Sequence, residues 1–217
     1  MVKSLEITRK DLKIEFRSKD TINFMLLFAL VTSMMFSVSI PVNEYVAPSL
    51  LWLIFMFVGM LGYSKAFLRE VEQKTIDCLR IAPINPTSIL IGKILYNMIL
   101  MLLVQVIVLP IFIALFNLDV ANPLLLFLSI TLGNIGFVVV ITFLSALVIK
   151  SRLRELLIPI LAFPIVFPII SLTTLAIKNA LLGDLTTEIY EILLFIAGFS
   201  VVMFIVACLT FEYIFID

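Results

Sequence analysis

The chain has 217 residues, no net formal charge, 63 % hydrophobic residues, 14 % charged residues and a mean hydropathy of +1.23. Soluble domains carry about 25 % charged residues, so this composition excludes an ordinary soluble protein and points to a polytopic membrane protein. There is no histidine, which removes the commonest metal ligand and general base, and Cys78 and Cys208 show no CxxC or zinc-type spacing.

In chain order, the first element is a polar lead-in of residues 1–20, "LEITRKDLKIEFRSKD" at its centre, in which Leu5, Ile7, Leu12, Ile14 and Phe16 alternate with bases. It reads either as an interfacial helix or as a basic, partly disordered tail. Its polarity and the long apolar run behind it do not fit a cleavable signal peptide. Six membrane spans are then expected, at Ile22–Ile40, Pro48–Phe67, Ile89–Phe116, Pro123–Ile149, Leu156–Ile177 and Ile192–Ile216. The links "PVNEYVA" and "NLDVAN" are short and make their flanking spans antiparallel neighbours. No internal repeat or soluble domain interrupts the chain.

Between the second and third spans lies "REVEQKTIDCLRIAPINPTSILIGK", Arg69 to Lys93, with seven charged side chains. Val71, Ile76, Leu79 and Ile81 set among those charges suit a short amphipathic helix, ended by Pro83 and Pro86. A solvated loop held near the surface by its bases is the competing reading. Orientation follows from Lys and Arg: in a six-span arrangement fourteen of the fifteen fall on one side, leaving only Lys178 with Glu44, Asp119, Asp184, Glu188 and Glu191 on the other. Both termini are therefore expected in the cytoplasm.

No enzyme site is legible. Gly92-Lys93 is followed by Ile94, and Thr87 stands where a P-loop needs its first glycine. Glu188 and Glu191 suit the acidic start of the sixth span, near the positive end of the helix dipole. Glu212 is close enough to the chain end to reach the interface. Asn97, Gln105 and Asn134 are expected to serve as hydrogen-bonding glue between spans, with a substrate site as the competing reading. Gly133 and Gly136 offer a close helix approach, and Pro159, Pro164 and Pro168 are expected to kink or break the fifth span. A broken helix of this kind either lines a transport cavity or is a packing irregularity.

The order of these features resembles the permeases of type-2 ABC exporters, and within them the CcmB family, the heme exporter permeases of cytochrome c maturation. The likeness rests on Arg69, Glu72, Thr75, Ile76, Asp77, Leu79, Pro83, Gly92 and Lys93, against a family pattern "R-x-x-E-x-G-T-L-E-x-L-L-x-S-P" followed by "L-G-K". Lys74 replaces the usual glycine, and Ala82 stands where serine or threonine is frequent. "LIPILAFPIVFPI" is similar to the family's proline-rich fifth span.

The resemblance implies an all-α fold with six transmembrane helices and a single permease domain over residues 1–217. In it, residues 1–20 form the interfacial segment and 69–88 a coupling loop. It further implies no ATPase site in this chain and docking of a separate cytoplasmic ABC ATPase (CcmA-like) through Glu72, Thr75, Ile76, Asp77, Leu79 and Arg80. Other maturation proteins (CcmC-like), a homodimer or pseudo-dimer, the lipid bilayer of the inner or plasma membrane and no nucleic acid complete the expected partners. No cofactor is expected on this chain itself: ATP would act through the ATPase, and heme through partners, since without histidine only Met, Tyr and Cys remain as iron ligands. A general type-2 exporter of a drug, lipid or polysaccharide, an ATP-independent carrier and a membrane scaffold remain as alternatives.

Overall fold

A computed structural model describes residues 2–63, 84–148, 151, 153–183 and 187–216. Among them the chain is all helical, with α1 at Val2–Ser18, α2 at Asp20–Ser39, α3 at Ala47–Tyr63, α4 at Pro86–Phe116, α5 at Pro123–Leu147, α6 at Arg154–Leu182 and α7 at Thr187–Ile216. Five of these, α2, α4, α5, α6 and α7, are long and apolar enough to cross a membrane. The described part of α3 is equally apolar but runs to 17 residues.

The helix ends follow from local chemistry. Asn85 and Asn122 are N-caps: their side-chain oxygens accept from Thr87 N at 3.1 Å and Leu125 N at 3.0 Å, and a proline occupies the first helical position after each. Asn117, in the left-handed region at φ 48°, closes α4. α6 runs as one continuous helix through Pro159, Pro164 and Pro168 and ends at Leu182. Each proline removes one N–H from the helical ladder, but the remaining ladder and the packing of neighbouring helices hold α6 together.

α5 is the central helix, packed most extensively on α6 and α7 and also touching α3 and α4. Its small residues allow this. A Cβ on Gly133 would lie 2.5 Å from Trp52 Cζ2 and 2.6 Å from Thr173 Oγ1, and one on Gly136 would lie 2.6 Å from Ser200 Oγ. The approach of α3, α6 and α7 to α5 is thus set by atoms that glycine lacks. Trp52, Tyr63 and Phe137 fill the adjoining core, with ring centroids 6.2 Å and 5.9 Å apart in the Trp52–Phe137 and Tyr63–Phe137 pairs.

One end of the bundle gathers the α2–α3 link, the α4–α5 link and the end of α6. There Ala121 N and Asn122 N donate to Leu181 O and Ala180 O at 3.3 and 2.9 Å, and the Lys178 ammonium lies 4.9 Å from the centre of the Tyr45 ring. α1 lies at the other end, against the first turns of α4.

Candidate functional site

α1 turns one face to α4 because Ser4, Ile7, Thr8, Asp11 and Glu15 recur at helical spacing, and all five are buried. Gly92 lets the two helices meet: a Cβ there would lie 3.0 Å from both Ile7 Cβ and Ser4 O. Thr8 Oγ1 reaches the Gly92 carbonyl at 2.9 Å and its own helix at Ser4 O at 3.0 Å. This face is only partly apolar, and its centre is ionic.

Lys93 Nζ stands 2.8 Å from Asp11 Oδ2, with Lys93 2 % and Asp11 6 % exposed. The other carboxylate oxygen of Asp11 lies 3.2 Å from the half-exposed Lys10 Nζ. One turn further along α1, Glu15 is wholly buried, and its carboxylate accepts hydrogen bonds from Thr21, Ile22 and Tyr96. Thr21 N (2.7 Å) and Ile22 N (3.1 Å) donate to Oε1, and Thr21 Oγ1 (3.0 Å) and Tyr96 OH (3.2 Å) donate to Oε2. Lys19, in the left-handed region at φ 61°, makes the corner between α1 and α2 and gives α2 no side-chain cap. Glu15 supplies that cap from the preceding helix, with its charge at the positive end of the α2 dipole. A buried carboxylate is costly unless its lone pairs are filled, and here they are.

The result is a three-way junction. α1 is joined to α4 by the Asp11–Lys93 pair and the Tyr96 hydroxyl, and to the start of α2 by Glu15. Removing one partner of a buried ion pair costs about 3–5 kcal/mol, so the junction resists loosening under load. It sits at the start of α4, the helix into which the polar 64–83 segment feeds. The junction holds three helix ends in fixed relation.

The residues singled out in the sequence distribute unevenly. Glu72, Thr75, Ile76, Asp77, Leu79 and Arg80 lie outside the described residues, whereas Gly92 and Lys93 are at the heart of the junction. Asn97 Nδ2 donates to Thr142 Oγ1 at 2.8 Å, joining α4 to α5, and Tyr63 OH stands 3.5 Å from Asn134 Oδ1, joining α3 to α5. Gln105 departs from its expected role as glue: it is 4 % exposed and neither amide atom has a hydrogen-bond partner among the described residues. The α5 surface it faces is apolar at Ile130 and Phe127, and the nearby Thr131 hydroxyl bonds to Phe127 O in its own helix. Glu188, Glu191 and Glu212 are exposed.

Sequence reasoning missed Asp11, Glu15 and Tyr96. The available signal was two acids four apart, Asp11 and Glu15, on the same face of the helix as Ser4, Ile7 and Thr8.

Residues 2–213 match the family described as CcmB protein. The chain belongs to the CcmB family. It is also 30 % identical over 164 residues to heme exporter protein B of Rhodobacter capsulatus, covering 73 % of this chain and 75 % of that relative. With five helices among the described residues long and apolar enough to cross a bilayer, this CcmB-family chain is a multi-pass membrane protein and a transporter component.

Proposed function

We propose that this CcmB-family chain is the membrane permease of an ABC exporter complex acting in cytochrome c maturation, with heme or a heme-loaded chaperone as its cargo. A separate cytoplasmic ATPase drives it, and other maturation proteins supply the heme ligands that a histidine-free chain lacks. The whole chain is one permease domain of six spans in the inner or plasma membrane, functioning as a dimer, with both termini and the 69–88 loop in the cytoplasm. The family match over residues 2–213 is the observation that carries this reading.

In this reading the 69–88 loop docks on the ATPase through Ile76 and Leu79, flanked by Glu72, Thr75, Asp77 and Arg80. Its displacement on nucleotide closure is delivered to Asn85 and the first turns of α4. The buried junction supports that role, because α1 and the start of α2 are fastened to the same turns of α4 through Lys93 and Tyr96. A push on the loop therefore moves three helix ends together rather than bending one.

The test replaces Ile76 and Leu79 with Asp in the full complex. A carboxylate forced into an apolar groove costs several kcal/mol, so ATPase co-purification in mild detergent drops by at least about tenfold and cytochrome c maturation is lost. Membrane level stays normal, since no span is touched. The same exchange at Ile89, which is fully buried, and Ile91 lowers the membrane level itself. Normal ATPase binding by the Ile76→Asp/Leu79→Asp variant would remove this loop from the coupling path.

A further inference from the structure

We infer that the outward side of α1 is a binding surface for the headgroups of anionic phospholipids. The junction uses up two acids of this helix: Asp11 and Glu15 are both turned inward, on Lys93 and on the start of α2. What remains exposed is dominated by bases, with Glu6 as the one outward acid of α1.

Those bases are ordered. Arg9, Lys13 and Arg17 recur every fourth residue, which sets them in a row along the helix about 6 Å apart in axial rise. All three are exposed, and none is held in an ion pair among the described residues. Leu5, Leu12 and Phe16 form a second row. At about 100° per residue they fall within roughly 40° of one another, between the buried face and the row of bases. Leu5 and Phe16 are 58 % and 49 % exposed.

Around its axis α1 therefore presents protein contact, then an apolar row, then a basic row. This is the cross-section of a helix lying in a membrane interface, with apolar side chains toward the acyl chains and the long basic ones reaching to phosphate. Its position agrees. α1 leads through Ser18 and Lys19 into α2, one of the apolar helices long enough to span a bilayer, so the row of bases is held within a few residues of a membrane surface. A protein groove would be matched by charge but would leave the adjoining apolar row without an acyl layer. The combination of the two rows selects lipid.

The experiment compares the full-length chain with Arg9→Gln/Lys13→Gln/Arg17→Gln and with the charge-keeping Arg9→Lys/Arg17→Lys. Each is reconstituted in vesicles of phosphatidylcholine alone or mixed with phosphatidylglycerol. The preference for spin-labelled phosphatidylglycerol over spin-labelled phosphatidylcholine is then read at low and high salt. At about one kcal/mol per surface base, the triple variant loses on the order of tenfold to a hundredfold of that preference, while the charge-keeping variant retains it. Wild-type preference weakens with salt. Unchanged preference in the triple variant, or a wild-type preference insensitive to salt, overturns the proposal, the second without requiring any variant to fold. Lost ATPase co-purification with unaltered lipid preference also overturns it, and assigns the face to a protein instead.

Discussion

Lys93 is the residue on which the junction depends most directly. Its ammonium is nearly sealed from solvent and faces Asp11 at 2.8 Å, so Lys93→Met leaves a carboxylate buried against an apolar side chain, with Lys10 as the remaining ion-pair partner among the described residues. The expected loss is about 3–5 kcal/mol, visible as a lower melting temperature in detergent and a lower membrane level. Asp11→Leu/Lys93→Met, which removes both charges, recovers most of that loss, because an apolar pair of similar volume needs no desolvation. Equal destabilisation by the single and double variants would show that packing around the two stems, not their charges, holds α1 to α4. Tyr96 and Glu15 act beside this pair as a hydrogen-bonded cap on α2, a role that no alternation of apolar residues would announce.

At the scale of elements, α5 decides how closely the bundle packs. Gly133 faces Trp52 and Thr173, both buried, so a methyl group there has to displace an indole ring and a side chain fixed by its bond to Ile169 O. Gly133→Ala is expected to destabilise by about 1–3 kcal/mol, the usual penalty for overpacking. Gly198 in α7 meets nothing within 4 Å, and Gly198→Ala is expected to be neutral or to stabilise by up to roughly 1 kcal/mol through helix propensity. Thermal melting of the two variants side by side checks the contrast; similar melting temperatures would mean that Gly133 is not a packing contact. The same element explains why Asn97 and Asn134 found partners: each faces α5 or lies on it, where Thr142 or Tyr63 comes within reach. Gln105 faces an apolar stretch of that helix and finds none among the described residues.

For the whole molecule, the distribution of charge makes a prediction about topology. The end of the bundle that holds Tyr45, Asp119 and Lys178 has one base, whereas α1 at the opposite end has many. If that asymmetry sets orientation, Asp184→Cys in a background with both native cysteines replaced by serine reacts with an impermeant maleimide in intact cells. Thr75→Cys in the same background stays unmodified until the membrane is opened. Labelling of Thr75→Cys from outside would invert the arrangement and detach the 69–88 loop from any cytoplasmic ATPase.

The sequence by itself determined the helical class, the positions of the apolar runs and the likeness to CcmB, because each is a property of contiguous residues. Length, hydropathy and the caps at Asn85 and Asn122 need no knowledge of neighbours in space; even the start of α4 at Pro86, three residues before the expected Ile89, was available from its Asn-Pro pair. Only the tertiary structure decided what the polar residues of these helices do. Lys93 is separated from Asp11, and Tyr96 from Glu15, by about eighty positions, so neither pair has a signature in local periodicity. Likewise the prolines of α6 can be read as lost hydrogen bonds, but whether the helix breaks depends on the packing around it, and here it continues to Leu182. A charge or a proline states a cost; the fold supplies what offsets it.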